Sequence, residues 1–231
     1  MSTIAVNIAK VTARIREAEQ AAQRPPGSVG LLAVSKTQPA AAVREAHAAG
    51  LDHFGENYLQ EALDKQAQLA DLPLTWHFIG PIQSNKTRPI AEHFHWVHSV
   101  DRLKIAERLS AQRPAGALPL NVCLQVNVSD EDSKSGCAPD EVAALARAVA
   151  ALPCLRLRGL MAIPAPSEDP AEQRAAFARL RALFEPLAGP LGLDTLSMGM
   201  SQDLEAAVAE GATWVRIGTA LFGARDYGRP A

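Results

Sequence analysis

The sequence is short of the residue types that most special chemistries require. Its three cysteines, Cys123, Cys137 and Cys154, are an odd number without tight spacing, which excludes a disulfide framework and a zinc knuckle. Aromatic residues are only 5% of the chain and 23 basic side chains nearly balance 25 acidic ones, so nothing marks a nucleic-acid surface or an attraction to anionic lipid. No apolar run approaches the ~18–20 residues of a membrane span. The opening residues lack the basic-then-apolar order of a secretory leader. The expectation is therefore a cytoplasmic protein that binds neither nucleic acid nor membrane. Histidines 77, 93, 95 and 98 cluster, but no acid or cysteine is spaced to complete a tetrahedral set, so no metal is expected. Lysine is scarce as well: Lys10, Lys36, Lys65, Lys86, Lys104 and Lys134 are the whole set, and each can be weighed by itself.

What is present is a globular pattern. The 231 residues are 48% hydrophobic, enough for a sizeable core. After an amphipathic helix over 3–22, short apolar runs at 29–34, 52–54, 75–79, 95–98, 119–126, 155–159, 195–197 and 213–216 read as strands. Helical patterns at about 39–49, 57–70, 84–92, 101–112, 139–151, 170–188 and 202–210 separate them. Gly50 and Gly211 stand where left-handed caps are expected. Eight strands alternating with helices imply parallel pairing, and this length fits one α/β domain, residues 1–231, folded as a single (β/α)8 TIM-type barrel with an extra N-terminal helix. A doubly wound open sheet is the other arrangement the alternation allows. Phe94 and Trp96 read as core or barrel lining, Cys123 as a small core residue, and Trp214 as packing outward under a helix.

Two places carry possible chemistry. Lys36 ends the apolar strand Leu31–Val34 abruptly, and barrels place functional groups at the C-terminal ends of their strands. There its amine is either a desolvated nucleophile that forms a Schiff base or a lysine on a surface loop. Near the other end of the chain, Ser197-Met-Gly-Met-Ser201 follows strand seven and Arg216-Ile-Gly-Thr219 closes strand eight. Loops in those places commonly cradle phosphate, although Ser201 also reads as a helix cap and Gly218 as a turn residue. Together with Lys36 they favour a ligand bearing both a phosphate and a carbonyl.

The chain resembles the pyridoxal 5′-phosphate (PLP) homeostasis family, which is related to the N-terminal barrel of bacterial alanine racemases. The resemblance rests on Leu32-Ala-Val-Ser-Lys-Thr37, Phe54-Gly-Glu-Asn-Tyr58, Trp76-His-Phe-Ile-Gly-Pro-Ile-Gln-Ser-Asn-Lys86 and Gln125-Val-Asn-Val-Ser129. It continues through Ser133-Lys-Ser-Gly136, Arg158-Gly-Leu-Met-Ala-Ile-Pro164, Leu196-Ser-Met-Gly-Met-Ser201 and Val215-Arg-Ile-Gly-Thr-Ala-Leu-Phe-Gly223. It implies a fold-type III PLP barrel with PLP as cofactor, held as an internal aldimine on Lys36. It implies also that Ser201, Gly218 and Thr219 hold the phosphate, Arg216 faces the pyridine nitrogen, Asn57 and Ile79 line the ring, and Met198 and Gly199 shape the loop. Gln38 stands where the family often has a second lysine, and Lys134 matches a family position outside the cradle.

The resemblance further implies a role in vitamin B6 homeostasis, in which the protein stores, buffers or delivers PLP, with PLP-dependent apo-enzymes as partners. A carboxylate beside the pyridine nitrogen makes PLP a strong electron sink, whereas an arginine has no proton-accepting capacity. Racemases with such an arginine use a second base, a tyrosine from a further domain across a dimer. The chain's own tyrosines, Tyr58 and Tyr227, lack that context, and its length leaves no room for that domain. The expectation is a monomeric PLP carrier without robust catalysis. A PLP-dependent amino-acid racemase and a Schiff-base aldolase acting on a sugar phosphate are the alternatives.

Overall fold

The computed structural model of the chain describes residues 2–129 and 135–223. A first helix, α1 (Thr3–Ala21), is capped by the Ser2 hydroxyl, which accepts from the Ala5 amide. Eight strands follow: β1 (Gly30–Val34), β2 (His53–Glu56), β3 (Thr75–Phe78), β4 (Trp96–Val100), β5 (Leu120–Gln125), β6 (Leu155–Met161), β7 (Thr195–Ser197) and β8 (Trp214–Ile217). Between them run α2 (Ala40–Ala48), α3 (Leu59–Gln68), α4 (Thr87–His93), α5 (Leu103–Gln112), α6 (Val142–Ala150), α7 (Pro170–Leu191) and α8 (Leu204–Ala209), and α9 (Thr219–Phe222) follows β8. Every strand pairs parallel with its sequence neighbour, and β8 closes on β1 with Leu32 beside Arg216. This is the closed (β/α)8 barrel, not the open sheet.

Strand alternation sorts the side chains. Outward residues such as Ala33, Phe54, Phe78, Val97, Leu160 and Val215 join the helices in one continuous apolar layer. Inward residues behave differently: Trp96, Cys123 and Met161 form a separate small cluster inside the barrel, amid histidines and an arginine. Burial there pushes the Cys123 thiol up to about 12, which keeps it protonated and inert.

Three local expectations are corrected. Trp214 packs into the barrel and not under a helix, with its ring 4.7 Å from His53 and 5.5 Å from His77. Gly30 makes this possible, because a Cβ there would meet the Trp214 ring at 2.6 Å. Ser201 is no N-cap: α8 begins at Leu204, and Asp203 accepts from the Met200 amide to close the preceding turn. The helix expected at 139–151 starts at Val142, after a turn closed by the Glu141 amide donating to the Ala138 carbonyl. Gly50 and Gly211, each at φ 97°, are the left-handed residues that the sequence pattern required.

Candidate functional site

A cavity of about 570 Å³ opens at the C-terminal mouth of the barrel. Its wall includes Val34 at the end of β1 and Lys36 just beyond it, Asn57 after β2, Ile79 after β3, Ser201 after β7, and Arg216, Gly218 and Thr219 from the end of β8. The structure thus gathers seven of the nine expected positions, from opposite ends of the chain, around one space. Met198 and Gly199 stand behind the wall. Met198 is buried in the outer apolar layer, and Gly199 turns at φ 97° where a Cβ would strike Ala207 at 2.4 Å. Lys134 and Tyr227 lie outside the described residues, and Tyr58 is exposed and away from the cavity.

The turn that carries Lys36 is held from below. Ser35 is fully buried and donates to Glu56 at 2.5 Å, while Lys65 on α3 donates to the Ser35 carbonyl at 2.7 Å and to Glu56 at 2.6 Å. Glu61 pairs with Lys65 at 2.8 Å and accepts from the Thr37 amide at 2.6 Å. Burial pushes the Glu56 carboxyl up, while the Lys65 ammonium opposes that shift. Thr37 sits at φ 65°, an uncommon conformation for a β-branched residue, and these bonds hold it there. Lys36 therefore projects from a rigid corner, as a precisely placed nucleophile requires.

Across the mouth, Arg216 is buried, with NH1 donating to Ser197 Oγ at 2.8 Å and NH2 to the Ala162 carbonyl at 2.9 Å. Burial lowers its pKa to about 10, which leaves it cationic at neutral pH. No ion pair joins Arg216 to a carboxylate among the described residues. The buried Asn57 Oδ1 also has no hydrogen-bond partner among them. A buried cation and an orphaned acceptor on one cavity suit a ligand that carries its own donors and negative charge.

Several residues of the site escaped the sequence reading. The β6–α7 loop supplies Ile163, Pro164, Pro166 and Ser167 to the wall, Met200, Gln202 and Asp203 join it beside Ser201, and Gln173 and Ala220 complete it. The available signals were the stretch Arg158–Pro164, whose role the sequence left unassigned, and Ser197–Ser201, which contains Met200. Helix α1 contributes from outside: Arg14 donates to the Ser201 carbonyl at 2.7 Å and Asn7 to the Leu221 carbonyl at 3.0 Å. Among the described residues no group of histidine, cysteine and acidic side chains could hold a metal ion, and no helix is long and apolar enough to cross a membrane.

The model of the family described as alanine racemase, N-terminal domain, matches residues 6–226. The chain belongs to that family. It is 80% identical over 231 residues, the full length of both chains, to a protein of Pseudomonas aeruginosa named pyridoxal phosphate homeostasis protein. The structure of PipY from Synechococcus elongatus with PLP bound superposes with a TM-score of 0.82 at 45% identity, covering 95% of this chain and 100% of that one. Alanine racemase from Corynebacterium glutamicum shares the fold at 22% identity and a TM-score of 0.68, with 96% of this chain covering 61% of the racemase. The family match accounts for the order of the mouth residues: the segments after β1, β2, β3, β7 and β8 all fall within residues 6–226.

Proposed function

We propose that this protein binds pyridoxal 5′-phosphate at the barrel mouth and serves PLP homeostasis by holding, buffering and delivering the cofactor. The observation that carries this reading is one cavity lined by a lysine on a locked turn, a buried cationic arginine, and the hydroxyls of Ser201 and Thr219 beside Gly218. When bound, PLP would supply an aldehyde, a phosphate and a pyridine ring, and the Lys36 amine would hold it at the aldehyde carbon. Ser201 and Thr219 donate to the phosphate. Gly218 lets its turn pack closely on β1, since a Cβ there would lie 3.1 Å from the Val34 carbonyl. Arg216 would face the ring nitrogen as a donor, while Ile79 and Asn57 would flank the ring. Relatives named for PLP homeostasis and a PLP-bound neighbour support the choice of ligand.

A carrier accounts for the site better than an enzyme. An arginine beside the pyridine nitrogen leaves that nitrogen unprotonated and weakens the electron sink that carbanion chemistry needs. The described cavity wall holds no tyrosine or histidine to act as a second base opposite Lys36, and Asp203 is engaged by the Met200 amide. We read the protein as a monomeric, cytoplasmic donor of PLP to apo-enzymes.

The test is direct. Purified protein reconstituted with PLP is expected to be yellow and, after borohydride reduction, to carry a pyridoxyl adduct on Lys36 that the K36A variant lacks. An adduct on another lysine overturns the site. Sustained conversion of an L-amino acid to its D-form, lost in K36A, overturns the carrier reading in favour of a racemase.

A further inference from the structure

Behind Arg216 lies a buried row of side chains that the cofactor reading does not use. Ser197 Oγ, which accepts from Arg216, is 2.7 Å from His98 Nδ1. His98 Nε2 is 2.9 Å from His77 Nδ1, and His77 Nε2 is 2.9 Å from His53 Nδ1. The row runs from the ligand cavity through the barrel to a second cavity at its floor, beside Trp214 and α1. His77, His98 and Ser197 are fully buried.

Hydrogen-bond counting gives this row one consistent direction. Ser197 Oγ has one proton and two lone pairs, and Arg216 takes one of the lone pairs; His98 Nδ1 is the acceptor in reach of the proton, so the assignment that satisfies the hydroxyl has it donating to His98. His98 then carries its proton on Nε2 and donates to His77, and His77 in the same way donates to His53. Every donor points away from the guanidinium, the orientation that a positive charge favours in a medium of low dielectric. Burial and the nearby Arg216 charge hold His98 down to about 3, and burial holds His77 well below its usual value, so these rings are neutral. Asp52 and His95 are the charged and titratable neighbours at the His53 end.

We propose that Ser197 and His98 are positioning residues that aim Arg216 at the ring nitrogen, with the aligned histidine row spreading the arginine's charge where another protein would neutralise it with a carboxylate. This rests on the PLP reading above. Two of the guanidinium's five N–H donors are fixed on Ser197 and Ala162, which sets its plane and leaves the others for the ligand. Asp203, on the same cavity wall, acts on Arg216 through space without an ion pair; a carboxylate paired directly with the guanidinium would cancel the field felt by the cofactor, whereas a neutral polarised row preserves it. The proton order also makes Ser197 a donor to histidine, so an apolar replacement leaves NH1 of Arg216 and Nδ1 of His98 without their partner.

The experiment measures PLP affinity by fluorescence, the visible spectrum of the loaded protein, and the melting temperature of the protein without PLP, for wild type, S197A, S197T and H98N. S197A is expected to weaken binding about tenfold, the effect of losing one hydrogen bond to a charged group, and to shift the visible band. S197T, which keeps the hydroxyl, restores both. H98N is expected to fall between S197A and wild type. Unchanged affinity and spectrum in S197A, or a change that S197T fails to reverse while the melting temperatures stay alike, overturns the proposal. A lowered melting temperature with unaltered binding assigns Ser197 a merely structural role and also overturns it. Borohydride mapping of the wild type runs alongside: an adduct away from Lys36 overturns the PLP site itself, whereas an adduct on Lys36 with S197A binding normally sinks only the positioning role.

Discussion

Arg14, on the helix that precedes the barrel, donates from NH1 to the carbonyl oxygen of Ser201 across 2.7 Å. The same guanidinium pairs with Glu205 at the start of α8. One residue of α1 therefore ties down the loop that brings the Ser201 hydroxyl to the cavity.

That tie is half exposed, so its contribution to folding is small, about 0–1 kcal/mol, while its contribution to loop order is direct. R14A is expected to shift the urea midpoint little and to weaken PLP binding several-fold. Isothermal titration of PLP into both proteins checks this. Equal affinities would show that the Ser201 loop holds its shape without α1.

The Lys65–Glu56 pair beneath Lys36 is a different case, because both groups are buried. K65M leaves Glu56 buried without its cation, and the expected loss is about 3–5 kcal/mol in urea unfolding. Replacing both, as K65M with E56M, is expected to recover most of that loss, because the desolvation of each charge disappears with it. The double variant separates stability from placement: it should be stable yet bind PLP poorly, because Ser35 loses both of its partners and Glu61, which holds the Thr37 amide, loses Lys65.

Gly80 joins the backbone of the β3–α4 segment to the site. A Cβ at this position would lie 2.4 Å from the Asn57 carbonyl oxygen, and both sides of that contact are main chain. G80A therefore displaces Asn57, with an expected stability loss of about 1–3 kcal/mol and weaker PLP binding. G50A is the control. Nothing lies within 4 Å of its Cβ, so it reports only the strain of φ 97° and should leave binding intact.

The barrel was legible in the sequence because its signal is local. Short apolar runs separated by helical stretches permit only parallel pairing, and Lys36 at a strand end pointed to the mouth. The histidine row was not legible, because it joins positions 53, 77, 98 and 197 through the barrel interior, and no local pattern distinguishes a histidine that faces another from one that faces water. Trp214 was misassigned for a related reason: alternation fixes which residues share a face of β8, but not which face is inside. Buried Val215 in the outer layer decides that, since it turns Trp214 and Arg216 inward together. The tie from Arg14 to Ser201 spans 187 positions and left no trace in either segment.

The buried histidines also set how stability depends on pH. Burial is the main cause of their depression, and the Arg216 charge adds to it at His98, which is lowered from 6.5 to about 3. A base whose folded pKa lies below its unfolded value binds fewer protons when folded. Its contribution to stability is therefore complete above about pH 6.5 and is lost as pH falls toward 3. Within that window each such histidine removes about 1.4 kcal/mol per pH unit. Unfolding in urea between pH 7 and pH 5, above the ordinary carboxylate range, should therefore show stability falling with acidification. H98N takes one titrating group out of the window and leaves the other groups in place. Its pH slope should be shallower than that of the wild type by about 1.4 kcal/mol per unit below pH 6. Parallel slopes for the two proteins would mean that His98 is protonated as readily in the folded chain as in the unfolded one, and the neutral row behind Arg216 would then have to be abandoned.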